Sequence, residues 1–213
     1  MPDVWTAIAD AQLDRHVSAP APAILDRAFY QRDPRQVARQ LLNKVLLRSD
    51  GRSGRIVEVE AYRGPVDPAA HAYHGKTRRN ATLFGPAGHL YVYFNYGLHW
   101  SCNVVCGDVD EGVGVLLRAL APLGGLATMR AARPSCRRDR DLCRGPARLC
   151  QAFGIDGTYD GVDVVAGTRG LTIADDGTPP PVRPVATARV GISRAAGKPW
   201  RWYVRGDPHV SRP

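Results

Sequence analysis

The chain has 213 residues, 44% hydrophobic and 23% charged, the make-up of an ordinary globular protein with room for one sizeable core. Lys and Arg number 29 against 20 Asp and Glu, a formal net charge of +9, and only Lys44, Lys76 and Lys198 are lysines. Arginine forks match phosphates and stack on bases, so the charge points to a nucleic-acid partner. No segment is long and apolar enough to span a membrane and no secretory-type run opens the chain, so a cytoplasmic protein without a membrane partner is expected. The five cysteines are odd in number and fit no zinc spacing, which predicts free thiols and no metal.

Residues 1–22 end in Ser18-Ala19-Pro20-Ala21-Pro22 and read as a tail or a loosely attached helix, with the folded domain over 23–213. Asp33-Pro34 opens a helix, with Asp33 as its cap and Pro34 at the first helical position, followed by Val37, Leu41, Leu42 and Val45. After Gly51 and Gly54 comes Ile56-Val57-Glu58-Val59-Glu60-Ala61-Tyr62, which alternates like a strand and holds two of only three glutamates in the chain. With a period of two, Glu58, Glu60 and Tyr62 share one face and Val57, Val59 and Ala61 the other. Either the polar face is a solvated strand surface, or an acid beside an aromatic ring marks a pocket for a flat ligand.

A Gly- and Pro-punctuated stretch runs from Gly64 to Gly88 and carries His71, His74, Arg78, Arg79 and Asn80, a length of irregular chain that is usually functional or disordered. Alternation returns at Leu90, Val92 and Phe94 against Tyr91, Tyr93 and Asn95, then a turn at Tyr96-Gly97, then a return strand over Trp100–Val105. A tyrosine at an exposed turn among arginines suits a wedge between base pairs. Asn103 is either a satisfied core amide or a reader of a base edge.

The strand Val113–Leu120 places Arg118 on one face with Gly114 and Leu116. A charge in an apolar strand needs a partner, so Arg118 either bridges to a carboxylate such as Glu60 or orients a reacting water or phosphate. Gly124–Arg133 is predicted helical and Arg137–Arg144 a charged loop. Gly145-Pro146 opens another helix, whose N-terminal N–H groups, with Arg144 and Arg148, favour an anion. Val162–Arg205 has strand-like runs broken by Gly and Pro. With no repeat or composition break, one mixed α+β domain is expected.

These residues, taken in order, resemble a known family. The run Arg55-Ile56-Val57-Glu58-Val59-Glu60-Ala61-Tyr62, Gly64-Pro65, Asp67, Ala69-Ala70-His71, Arg79-Asn80, Leu90-Tyr91-Val92-Tyr93 and Tyr96-Gly97 is similar to the alkyladenine (3-methyladenine) DNA glycosylases. Val115–Leu120 with Pro122, Gly145-Pro146 with Arg148–Gln151, Ala188-Arg189-Val190-Gly191 and Tyr203-Val204-Arg205-Gly206 continue the resemblance to about Ser211. It implies a single domain with a curved, largely antiparallel sheet flanked by helices. It implies a monomeric, cofactor-free enzyme that flips damaged purines out of double-stranded DNA and hydrolyses the glycosidic bond.

By the same resemblance, Glu60 is the general base and Arg118 helps hold the water. Tyr62 and His71 contact one side of the flipped base, Tyr93 stacks on the other, and Asn103 disfavours the exocyclic amine of guanine. Tyr96 fills the gap left in the duplex, and Arg79, Gly145, Arg148 and Arg205 contact DNA. A strand-cleaving lyase needs an amine for a Schiff base, and no lysine falls in these motifs, so water is the expected nucleophile. On the residues alone, a non-catalytic nucleic-acid binder leaves Glu58 and Glu60 unexplained, because carboxylates repel phosphates. A metalloenzyme built on His71, His74 and cysteines lacks ligand spacing.

Overall fold

The computed structural model describes residues 22–95 and 97–212; the expected tail, apart from Pro22, and Tyr96 lie outside the described residues. The chain opens with β1 (Ala23–Ile24), the short helix α1 (Arg27–Tyr30) and α2 (Pro34–Leu41). It continues through β2 (Val45–Arg48), β3 (Ser53–Tyr62), β4 (Leu90–Asn95), β5 (His99–Cys106) and β6 (Val113–Gly124). Helices α3 (Leu126–Ala132) and α4 (Pro146–Phe153) follow, then β7 (Leu171–Asp175), β8 (Val185–Thr187) and β9 (Arg201–Tyr203). Every strand pairing is antiparallel, in the order β1-β7-β2-β3-β6-β5-β4. Strand β9 joins the edge of β3 beyond β2 and carries β8 on its other side. This is the mixed α+β domain expected from the residues, with the curved antiparallel sheet that the resemblance implies. None of the described helices is long and apolar enough to cross a membrane.

The expected caps form. Asp33 accepts the Arg35 N–H at 2.8 Å, Pro34 opens α2, and Val37, Ala38 and Leu41 turn inward. Helix α4 starts at Gly145, whose φ of 136° is open to glycine and strained for other residues, and buries Leu149, Cys150, Ala152 and Phe153. Gly154 closes α4 in the left-handed region, its N–H reaching the carbonyls of Cys150 and Gln151. Helix α2 packs on β3 and β6, and α4 packs on β5 and β6 with α3 beside it. The main core lies between these helices and one sheet face, leaving the other face of β3–β6 for the site. Strand β6 runs four residues beyond the predicted end at Leu120, because Ala121, Pro122 and Gly124 still pair with β3.

One predicted face is corrected. Val57 does not join Val59 and Ala61 in the main core; it packs with Ala119 and Val210 in a small separate cluster, and Ile56 takes the core position. The β3–β6 register shifts on either side of Glu58: Ile56 faces Leu120, Glu58 faces Ala119, and Val59 faces Leu117. A bulge inserts an unpaired residue and flips the side-chain phase, and here it turns both Val57 and Glu58 away from the core.

Candidate active site

The predicted face of β3 survives beyond the bulge. Tyr62 donates its hydroxyl to Glu60 Oε2 at 2.8 Å, and Arg118 reaches both acids from β6, Nε to Glu58 Oε1 at 2.8 Å and Nη1 to Glu60 Oε1 at 3.2 Å. The bridging alternative for Arg118 is therefore realised, and its side chain also lines the cavity beside Gly114 and Leu116. Glu60 Oε1 accepts a further bond from the Val190 N–H at 2.7 Å. Glu58 accepts from Arg201 Nε at 2.7 Å and from the Ser211 N–H and hydroxyl at 2.6 and 2.9 Å. Both glutamates are fully buried.

The two acids differ in electrostatics. Burial pushes the Glu60 carboxyl above its ordinary range, outweighing Arg118, the Val190 N–H and the Tyr62 hydroxyl. Burial also pushes Glu58 upward, but Arg118, the Ser211 N–H, Arg201 and the Ser211 hydroxyl more than offset it and hold Glu58 low. Two neighbouring carboxyls driven apart in this way are a recurrent arrangement of acid–base sites.

Above this network lies a cavity of about 330 Å³, at the small end for ligand pockets. Its walls include Tyr62, His71, Tyr91, Tyr93, Asn95, Ser101, Asn103, Leu116, Arg118 and Val190–Ile192. Tyr91 and Tyr93 stack with centroids 5.3 Å apart, and His71 stands edge-on to Tyr93 at 4.4 Å and hydrogen-bonds the Tyr91 hydroxyl at 3.0 Å. Packing against these rings and the nearby Arg79 lower the His71 pKa below its ordinary value, although the residue keeps an exposed edge. Burial lifts the Tyr93 phenol to about 12. Asn103 is buried on the wall, and among the described residues its carboxamide has no hydrogen-bond partner.

The irregular stretch after β3 is ordered. Asn80 is buried and donates to the carbonyls of His71 and Gly75 at 2.9 and 3.0 Å while accepting the Thr77 N–H at 2.6 Å, which fixes the loop that presents His71. Ala72, Leu83 and Phe84 pack that loop onto Tyr91 and Val105. It closes against Gly112 at φ 66°, where an added Cβ would sit 2.7 Å from both Ala72 and Phe84.

Six predicted residues thus converge: Tyr62, His71, Tyr93, Asn103 and Arg118 line one cavity, and Glu60 lies directly behind it, bonded to Tyr62, Arg118 and Val190 of the wall. Glu60 itself has no surface on the wall. The other predicted contacts lie outside the cavity. Arg79 is exposed and donates to the Phe94 carbonyl at 3.0 Å, Arg148 is exposed on α4, and Arg205 is exposed past β9. Gly145 precedes Pro146, which does line the cavity.

Sequence reasoning missed the Val190 N–H, Arg201 and Ser211. A backbone donor leaves no trace in side-chain identity, and Ser211 stands 153 residues from its partner Glu58. Tyr91, by contrast, shares the predicted alternation with Tyr93 and was within reach of the same argument. Among the described residues no three His, Cys, Asp or Glu side chains are grouped to hold a metal.

Known proteins match this chain along nearly its whole length. The sequence profile of the family described as Methylpurine-DNA glycosylase (MPG) matches residues 28–208. A Burkholderia lata protein provisionally named a 3-methyladenine DNA glycosylase is 60% identical over 91% of this chain and 96% of its own. Proteins given the same provisional name from Koribacter versatilis and Streptomyces avermitilis are 48% and 44% identical, covering 89% and 92% of this chain and 93% and 94% of theirs. The chain belongs to the methylpurine-DNA glycosylase family and is a DNA glycosylase, a hydrolase of N-glycosyl bonds acting in the repair of alkylated purines.

Proposed function

We propose that this chain is a monofunctional glycosylase that flips an alkylated or otherwise damaged purine, such as 3-methyladenine, hypoxanthine or ethenoadenine, from duplex DNA and releases it with a Glu60-activated water. The observation that carries the reading is one nucleobase-sized cavity walled by tyrosines, with a fully buried carboxylate bonded to three of its wall residues. The resemblance sets His71 beside Tyr62 and opposite Tyr93, but the His71 ring stands 4.4 Å from that of Tyr93, so in this reading the stacked Tyr91 and Tyr93 with His71 offer one side to a flat base and Tyr62 the other. A lesion that pairs weakly costs less to extrude, so flipping itself contributes to selectivity.

In this reading a water enters beside Arg118 and Val190, parts the wall residues that cover Glu60, and gives a proton to the ionised carboxylate. Its oxygen bonds to the anomeric carbon as the C–N bond breaks, and that electron pair leaves with the purine. The sugar passes through an oxocarbenium-like state, which the buried carboxylate stabilises. Among the described residues no lysine lines the cavity: Lys44 pairs with Asp175 at 2.6 Å, Lys76 with Asp110 at 3.1 Å, and Lys198 stands 4.4 Å over Trp200. This supports water over an amine as nucleophile, and an intact abasic strand as product.

Tyr96 would fill the vacated position in the duplex, with Arg79, Gly145, Arg148 and Arg205 along the phosphates. The test is base release from methylated duplex in the presence of EDTA, with strands scored before and after alkali. Free methylpurine with strand breaks that appear only after alkali supports the proposal. Breaks without alkali would replace it with a lyase.

A further inference from the structure

Beside the carboxylates lies a fully buried ion pair to which the chemistry above gives no part. Asp67, in the loop after β3, and Arg189, shortly after β8, meet through two parallel bonds, Nη1 to Oδ2 at 2.5 Å and Nη2 to Oδ1 at 2.8 Å, with both side chains wholly out of solvent. Burying two charges is seldom the most stable solution, since well-packed apolar residues often do as well or better. The Arg189 Nε–H is also buried without an acceptor among the described residues, which adds to that cost. Burial pushes the Asp67 carboxyl up, but Arg189 and the N–H groups of Arg63 and Ala69 bring it below its ordinary value, so Asp67 stays ionised.

The connections of the pair all run to the active site. Arg189 Nη1 also donates to the carbonyl of Ala61, the residue between Glu60 and Tyr62, at 3.0 Å. Its guanidinium lies 4.6 Å from the Tyr62 ring centroid, with Trp200 5.2 Å away. The next residue, Val190, gives its N–H to Glu60 and begins the cavity wall that continues through Ile192. Asp67 accepts the N–H groups of Arg63 and Ala69 at 3.2 and 3.3 Å, closing the turn that leads to Ala69 and His71 on the cavity wall.

We propose that Asp67 and Arg189 are the positioning pair of this site, holding the Tyr62 ring and the Val190 N–H in register with Glu60 without touching the substrate. The inference rests on Glu60 being the base. Misplacing catalytic groups by about 1 Å can cost on the order of 10²-fold in rate, so a pair that locks two loops and the strand between them has leverage on chemistry rather than on affinity. The titratable groups around Glu60 are Arg118, Tyr62, Glu58 and Tyr93; none of them is substituted in the pair variants, and the charge of Arg189 reaches them through Tyr62, whose phenolate it favours.

The test compares wild type, Arg189→Lys, the double variant Asp67→Asn/Arg189→Met and Glu60→Gln. Arg189→Lys keeps a charge for Asp67 but loses the fork; the double variant leaves no buried charge unpaired. Each is melted to establish folding, titrated with a duplex bearing a tetrahydrofuran abasic analogue, and assayed for single-turnover methylpurine release across pH. The expected result is a release rate lower by about 10²-fold in both pair variants with duplex affinity within roughly threefold of wild type. The acid limb of their pH–rate profiles moves upward, because Glu60 loses a firmly held N–H. Should the double variant fail to melt cooperatively, Arg189→Lys alone decides. A folded variant with a release rate within roughly threefold of wild type and an unmoved acid limb overturns the inference, provided Glu60→Gln is inactive. An active Glu60→Gln overturns the reading of Glu60 instead, and this inference with it.

Discussion

Glu58 and Glu60 share the guanidinium of Arg118, at 2.8 and 3.2 Å, yet their carboxyls are displaced in opposite directions. The difference lies in what else each acid touches. Glu58 meets a second guanidinium and both donors of Ser211, whereas Glu60 meets a phenol and one backbone N–H. Glu58 thus serves as a fixed negative anchor for Arg118, and Glu60 is left as the acid that can take up a proton.

Replacing the anchor should therefore cost stability. Glu58→Gln leaves Arg118 and Arg201 buried with no full charge partner at that site, and losing one member of such a network typically costs about 3–5 kcal/mol. Urea denaturation at neutral pH should show the loss as a lower midpoint with an unchanged slope. The effect should shrink in acid. A carboxyl held low stabilises the fold above its unfolded value, roughly pH 4, and that contribution disappears as pH falls through the lower folded value. Equal stability of variant and wild type at pH 7 would remove Glu58 from the anchor role.

Tyr62→Phe deletes one donor to Glu60 while keeping the ring. With less stabilisation of the carboxylate, its pKa rises further. Since the ionised form is the base, the acid limb of the pH–rate profile should move to higher pH, with the rate above it reduced less than in Glu60→Gln. Measurement of single-turnover release between pH 4.5 and 8, values chosen to bracket a raised carboxyl, checks the direction. A limb that stays in place or moves down would show that the phenol does not tune Glu60.

Sequence and structure agree where the period of two is unbroken. Tyr91, Tyr93 and Asn95 point into the cavity as their alternation predicts, and so do Gly114, Leu116 and Arg118. The pattern fails at Val57, where a bulge resets the phase, because nothing in a run of valines marks which residue will be left unpaired. Three further tethers were illegible for a different reason. The Val190 N–H on Glu60, Ser211 on Glu58 and Asp67 with Arg189 join positions more than 120 residues apart, and no local period encodes such a pairing. The family resemblance located Arg189 and Val190 in a motif but could not say what they hold.

Asn103 carries a prediction about selectivity. Its carboxamide faces the cavity from β5 opposite Tyr91, and among the described residues it has no partner of its own. A purine with an exocyclic amine at the position that Asn103 meets would be turned away by crowding. Asn103→Ala should therefore raise the release of guanine relative to methylated adenine by roughly tenfold, the worth of about 1.4 kcal/mol. Chromatography of the bases released from methylated and unmethylated duplex gives the ratio, and an unchanged ratio would assign selectivity elsewhere on the wall.

Arg148 is exposed on the first turn of α4, beside the glycine-capped N-terminus. If it contacts one phosphate, Arg148→Ala should weaken binding to all duplexes alike and reduce the slope of log affinity against log salt by about one. Fluorescence anisotropy with lesion-bearing and plain duplexes over a salt series measures both. A loss confined to the lesion duplex would place Arg148 in damage recognition, against this account.

The central claim is that Glu60 activates the water, and one comparison tests it most directly: single-turnover methylpurine release by wild type and Glu60→Gln, each saturating the same duplex, with EDTA present. The amide keeps the shape and a hydrogen-bonding group but cannot accept the proton, so release should slow by about 10²–10⁴-fold while duplex affinity holds or improves. Release by Glu60→Gln at the wild-type rate would contradict the account, leaving Glu60 a buried structural partner of Arg118 and the base still to be found on the cavity wall.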